Sequence, residues 1–543
     1  MLRNSLGVVG ALAAPALAMA GPPTVGPQTT YYQGPLDDEG YVDYVAALNA
    51  AFGDADAEPR DNAFLGVLDH LETADWSEGH VPALYAALGA APAAEDRPRF
   101  RTFYDHANAL GLPSAPPFDW DNAGPDDEPP PPPPGTADAM AERAAAAPWT
   151  DDDLPEVARW LDSIRAPLDA IVEATRRTAY FAPLVRPHPE AVVIEVLLPH
   201  LGTHRDIARS LDMRVRRHLG RDDLDAAIAD WAAMKRLSRL QQREPILISN
   251  LVGLSIQSLS HDAFTVIVSQ PGLTAAHVAE MREVLDDLPE GVGMAEVMQR
   301  AERVASLDLM TQASRGRVRV LDMFRMMQSL SRHEEPTAFF VNDPGPDPIT
   351  GLISDPDFKL NRALRRINTA WDRWFGDLPA DYAEFAARQE HAEAAIDRLR
   401  ERSRQNISGL IAIGHTGIPD GADPGPIADA TADLLLGLFC PSLIAAVRTE
   451  RQSQAQAALE PVALALAAYR IDHGRYPPLL QSLTPAYLHA VPADPLGKNS
   501  LRYQRRDGGY LLYSVGTNLT DDGGRHDFRD GDIALSVPRM PSP

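Results

Sequence analysis

AALEPVALALAAYRIDHGRYPPLLQSLTPAYLHAVPADPLGKNSLRYQRRDGGYLLYSVGTNLTDDGGRHDFRDGDI, residues 457–533, decides the reading of the chain. Its first part places Leu459, Val462, Leu464, Leu466 and Tyr469 at helical spacings. Gly474 and the pair Pro477 and Pro478 end that helix. Leu479, Leu480, Leu483, Tyr487 and Leu488 predict a second short helix folding back on the first. The runs 501–505 and 510–515 flank Asp507, Gly508 and Gly509. Glycine supplies the positive φ that a tight turn needs, so this is a hairpin signal. Leu501, Tyr503, Tyr510, Leu512 and Ser514 should alternate faces with Leu511, Tyr513 and Val515.

The loop after the hairpin holds Asn518, Asp521, Asp522, Gly523, Gly524, Asp527, Asp530 and Asp532. Neighbouring carboxylates repel unless water or a cation separates them. Calcium takes about 6–8 oxygen ligands, and glycines let a chain wrap around it. The spacing does not fit the EF-hand pattern. A calcium loop and a solvated acidic turn are the two readings.

The motifs come in a particular order: AAYRIDHGRYP on a helix, L-x-P-x-Y-L, VPADPLGK, LRY, GGYLLYSVG, DDGG and GDI. That order resembles the C-terminal globular part of type II secretion major pseudopilins. The resemblance implies a small α+β module, residues 457–543, built of a helix and an antiparallel hairpin. It also implies a terminal loop that holds calcium through acidic side chains and backbone carbonyls. By position the acids are Asp521, Asp522 and Asp532, with Asp530 beside them. A pseudopilin begins with a short basic leader and a long apolar helix, whereas here the module ends a 543-residue chain. Only the globular fold is carried over, not assembly into a pilus.

Length allows two to four domains. The chain has 50 Lys and Arg against 76 Asp and Glu, a formal net charge of −26. That balance argues against sequence-independent nucleic-acid binding and favours cations or basic partners, or reflects an acidic proteome. Lysine occurs only at 235, 359 and 498. The N-terminus, MLRNSLGVVGALAAPALAMAG, has Arg3, an apolar core over 6–17 and a small-x-small site at Ala18, Met19 and Ala20. It predicts a signal peptide over 1–20, hence an exported, periplasmic or extracellular protein with no membrane span after cleavage. Cys440 is the single cysteine, so no internal disulfide can form; it lies in an apolar run and reads as a buried small side chain.

Working back from the module, 421–456 predicts an apolar connecting helix interrupted by Pro441, either buried between module and body or, over 427–451, a transmembrane segment. The central body, 149–420, is helix after helix, an α-bundle or irregular α-solenoid; a small-residue pattern in LDAAIADWAAMKRLSRL has no sustained repeat. Within it, 245–269 reads as a buried central helix, because Asn250, Gln257 and His261 interrupt its apolar run. A long loop spans 335–357. Residues 121–148 form a linker around the prolines 129–134, and 21–120 a small helical region opened by an extended arm over 21–34. Asn49 and Asn62 read as caps or as buried backbone partners.

Candidate chemistry in the body is sparse. His200 and His204 share a helix face as metal ligands sometimes do, but without a third ligand they read as surface or helix-end histidines. Arg176, Arg177, Arg214, Arg216, Arg217 and Arg221 read as a solvated, ion-paired face, and His333, Glu334 and Glu335 as a loop edge. No phosphate loop, nucleophile elbow or kinase set is present. The expectation is a mainly α exported protein with a structural or protein-interaction role, linked to an envelope or secretion assembly, with unknown protein partners. The alternatives are an extracellular hydrolase with a site between helices, and a soluble ligand-binding protein.

Overall fold

Apolar spacing and capping chemistry set the helices of the N-terminal region. The computed structural model describes residues 21–53, 58–118, 129–196, 198–321, 347–379, 381–439, 441–497, 499–525 and 531–538. Short helices Tyr44–Phe52, Ala63–Leu68, His80–Ala87 and Phe103–Ala109 come first. Asp43 caps the first by accepting from the amide of Ala46, and Thr102 and Asp105 form a capping box on the last. Asn62 caps the second by accepting from the amide of Phe64, and its own amide donates to the Phe181 carbonyl at 2.9 Å. Asn49 donates to the Leu184 carbonyl at 2.9 Å. Both asparagines therefore act as the sequence suggests, and they tie this region to residues 181–184.

The body is an irregular helical bundle. Its core begins with α1 (His200–Gly220), α2 (Leu224–Gln241) and α3 (Leu247–Val268), packed successively against one another. Further on come α4 (Leu360–Phe375), α5 (Tyr382–Thr416), α6 (Pro424–Phe439) and α7 (Pro441–His473). The N-terminal arm folds back onto α4, where the Asn368 amide donates to the carbonyls of Gln28 at 3.1 Å and Thr29 at 2.9 Å. By length and composition α3 is apolar enough to cross a membrane, yet 67% of its most apolar window is buried within the protein. Its polar residues are bonded there: Asn250 donates to the Glu244 carbonyl at 2.9 Å and Gln257 to the Ser453 carbonyl at 3.1 Å.

The 33-residue helix α7 joins the body to the C-terminal sheet. Leu459 and the whole run from Val462 to Ala467 are buried. A helix that is apolar all round belongs inside a core, and α7 packs against α3, the helix Ala275–Asp286 and the sheet, which α3 also touches. It runs unbroken through residue 457, where composition alone suggests a module boundary, and remains helical at Pro461, where proline removes one backbone donor.

The sheet has three antiparallel strands in the order β1 (Arg502–Arg506), β2 (Gly509–Ser514) and β3 (Ile533–Val537). The Arg506–Gly509 register closes the expected two-residue turn at Asp507 and Gly508, the latter with φ 75°. β3 lies beyond the Asp/Gly loop and pairs Tyr510 with Val537. The two faces of β2 differ less than alternation implies, because every residue in it is buried. Gly524 explains part of this: a Cβ there would lie 2.4 Å from Leu511, so the loop presses on the outer face. The second helix expected over 479–488 is a single 3-10 turn, Leu480–Leu483. Thr484 precedes Pro485, and a residue before proline is pushed out of the helical region. The mainly α architecture with a small C-terminal α+β module is thus the observed one.

Candidate functional site

Three helices meet at a buried ionic cluster where the body joins the module. Lys235 on α2 places Nζ 2.5 Å from Glu460 Oε1 on α7, and His261 Nδ1 on α3 lies 3.0 Å from the same oxygen. All three side chains are almost fully excluded from water. Burial alone would raise the Glu460 carboxyl; Lys235 and His261 outweigh it and hold the group below its usual range. Taking charges out of water is expensive, so the cluster persists because each charge is paired and hydrogen-bonded. Its effect is geometric: it fixes the rotation of α7 against α2 and α3.

A second cluster lies under α1. His200 and His204 are buried, not at the surface, and their rings stand 5.2 Å apart. His200 Nε2 contacts both Glu244 oxygens, at 3.0 and 3.2 Å, and the Tyr180 hydroxyl donates to Glu244 Oε1 at 2.6 Å. His204 Nδ1 lies 2.6 Å from Gln241 Oε1. Phe64 stands edge-on to His200 at 5.0 Å between ring centres. Burial would raise the Glu244 carboxyl, but His200 and the Tyr180 hydroxyl help hold it down at about 2. Burial lowers His204 to about 4, with His200 acting in the same direction. The sequence offers no third ligand for this pair, and among the described residues no three His, Cys, Asp or Glu side chains are grouped to hold a metal ion. The groups suit acid–base chemistry, but Tyr180, His200, His204 and Glu244 are all buried.

Half of the basic cluster expected on a solvated, ion-paired face is internal: Arg176 and Arg221 are exposed and ion-paired, whereas Arg214, Arg216 and Arg217 are buried. Arg214 makes a two-point pair with Asp230, both contacts at 2.7 Å, and reaches Asp169 at 2.6 Å. Arg217 bridges Asp151 at 2.8 Å and Asp162 at 2.9 Å, and Arg216 pairs with Asp212. Planar guanidinium forks matched to carboxylates explain how arginine is tolerated there. The cluster stitches residues 151–169 to α1 and α2.

In the C-terminal loop the candidate metal acids are engaged with protein donors. Asp521 accepts from the Tyr513 hydroxyl at 3.0 Å and the Gly523 amide at 3.1 Å, and faces Arg502 Nε at 3.2 Å. Asp522 accepts from the Asn518 amide at 2.9 Å, and the buried Asp532 from the Gly524 amide at 2.7 Å. Burial raises Asp532, with Asp522 and Asp521 adding to the effect, so three acids share one neighbourhood. Asp530, like His333, Glu334, Glu335 and Cys440, lies outside the described residues. In the described arrangement an arginine and a tyrosine hydroxyl engage Asp521, and residues 526–530 of the same loop lie outside the described residues.

Asp494 is the acid that the loop reading passes over. It is buried and accepts from the Ser514 hydroxyl at 2.6 Å, the Leu496 amide at 3.0 Å and the Val515 amide at 3.0 Å. It clamps the VPADPLGK segment to the end of β2. Its sequence signal was an Asp-Pro pair inside an otherwise apolar turn. Glu460 also had a signal, a lone acid between Leu459 and Pro461 on an apolar helix, whereas Glu244 and Tyr180 had none. No known protein family, no curated protein and no solved structure matches the chain.

Proposed function

We propose that the protein is an exported, non-enzymatic interaction protein whose helical body holds a pseudopilin-like α+β module in a fixed orientation for contact with another protein, at an envelope or secretion assembly. The observation that carries this reading is the shared helix α7, locked to the body by the Lys235–Glu460–His261 cluster. A contact surface gains affinity from being held rigidly, since less freedom is lost on docking. The surface in question is the edge strand β1, where Gln504 and Arg505 are exposed. The buried state of the His200–Glu244 cluster weighs against the hydrolase reading.

A photo-crosslinking residue at Gln504 of the full chain, in producing cells, tests this. The reading expects one discrete crosslinked protein, lost on Arg505→Glu; absence of a discrete product counts against it. Calcium belongs to the same reading only if Asp521 exchanges Arg502 and Tyr513 for the cation. In that case calcium at about a hundred times its Kd stabilises the full chain by about 2.7 kcal/mol, visible in its melting temperature. An unchanged melt leaves the loop as an acidic turn.

A further inference from the structure

Two adjoining cavities open between α4 and α5. One, of 490 Å³, is bordered by apolar side chains including Trp374, Phe375, Leu378 and Phe385. The other, of 840 Å³, shares Arg373, Trp374 and Ala395 with it and continues along both helices to Arg362 and Gln405. The two helices run antiparallel here, and each packs far more closely on α6 than on the other. The result is a groove with two helical walls and a helical floor. From Arg362 to Trp374 its α4 wall rises about 18 Å, roughly three turns.

The charge in this groove is opposite to that of the chain. Arg362 and Arg366 are already matched, each by a two-point pair to Asp429 or Asp433 on α6. Arg365 and Arg373 on α4, and Arg398 and Arg402 on α5, also line it and are exposed. Among the described residues none of these four has a carboxylate within ion-pair distance, while Glu401 at the same rim is turned to Arg404 at 4.0 Å. On a protein of net charge −26, four such arginines on facing walls concentrate positive potential in one cleft.

We propose that this groove binds an acidic amphipathic helix of a partner protein, which takes the fourth place in a bundle with α4, α5 and α6. Its apolar residues, at spacings of three and four, enter the Trp374–Phe385 end and pack over Leu399 at the foot of the α5 wall and Leu436 on the α6 floor. Its Asp and Glu side chains meet the arginines of both walls in charge-assisted hydrogen bonds. The groove's length and open top favour a rod over a small anion, since the arginines are spread along both walls and do not close around one headgroup.

The test uses the full chain and a fluorescein-labelled peptide of about 16 residues, with leucines at helical spacings and glutamates elsewhere. Saturable binding is expected for this peptide and not for its lysine counterpart, weakening between about 50 mM and about 500 mM salt. The double variant Arg365→Glu, Arg398→Glu should weaken it about tenfold or more with an unchanged melting temperature. The pair Arg373→Glu, Arg402→Glu serves as an independent second variant. No saturable binding, equal binding of the lysine peptide, or unchanged affinity in both variants overturns the proposal. Oleate binding without peptide binding overturns it too and makes the groove a small-amphiphile site.

Discussion

His204 and Asp308 sit in different parts of the same core, and burial acts on them in opposite senses. Asp308 accepts from the Val193 amide at 2.7 Å and from the Gln312 amide at 3.3 Å. Burial raises it from 3.8 to about 6. Its native state therefore holds a proton that the unfolded chain has released, and stability falls as pH rises from 3.8 to about 6. His204, lowered from 6.5 to about 4, does the reverse. The unfolded chain binds that proton first, so its contribution is complete above pH 6.5 and lost as pH falls to about 4. Each amounts to about 3 kcal/mol, and over the same window they oppose one another. On going from pH 7 to pH 4, urea unfolding should show Asp308→Asn losing about 3 kcal/mol relative to the wild type, and His204→Gln gaining about as much. Parallel curves for all three proteins would contradict this. The burial of His204 was not legible in the sequence, because a histidine four residues from another reads alike on an exposed or an enclosed helix face. Phe64, from a distant short helix, stands edge-on to it at 6.3 Å between ring centres.

Among the elements, α7 depends most on one ionic contact. Removing either partner of a buried pair leaves an uncompensated charge and costs about 3–5 kcal/mol. Lys235→Met and Glu460→Gln should each destabilise by about that much, and the double variant by clearly less than their sum. Additive losses in a double-mutant cycle would mean that the two groups do not interact. The helices themselves were readable, as was the hairpin turn, because periodicity and Asp-Gly chemistry are local. The third strand was not, since IALSV follows a long acidic loop and its pairing with β2 is set by tertiary contact. The partner of Glu460 was hidden for the same reason: Lys235 is 225 residues away in sequence. Three lysines in the whole chain, one of them on an apolar helix face, were the only hint.

At the scale of the molecule, body and module are expected to form one cooperative unit through α7, with the module and the arginine-walled groove as outward-facing features on that unit. The compositional boundary near residue 457 marks a change in sequence character within a continuous helix. The most direct measurement is native-state hydrogen exchange of the full chain in increasing urea, following α7 over residues 459–467, β2, and α2 together. All three should exchange through the same global opening, with one urea dependence, and Glu460→Gln should lower the three protections equally. Exchange of β2 through a separate, lower-energy opening, with α2 still protected, would contradict it and make the module an independently hinged appendage.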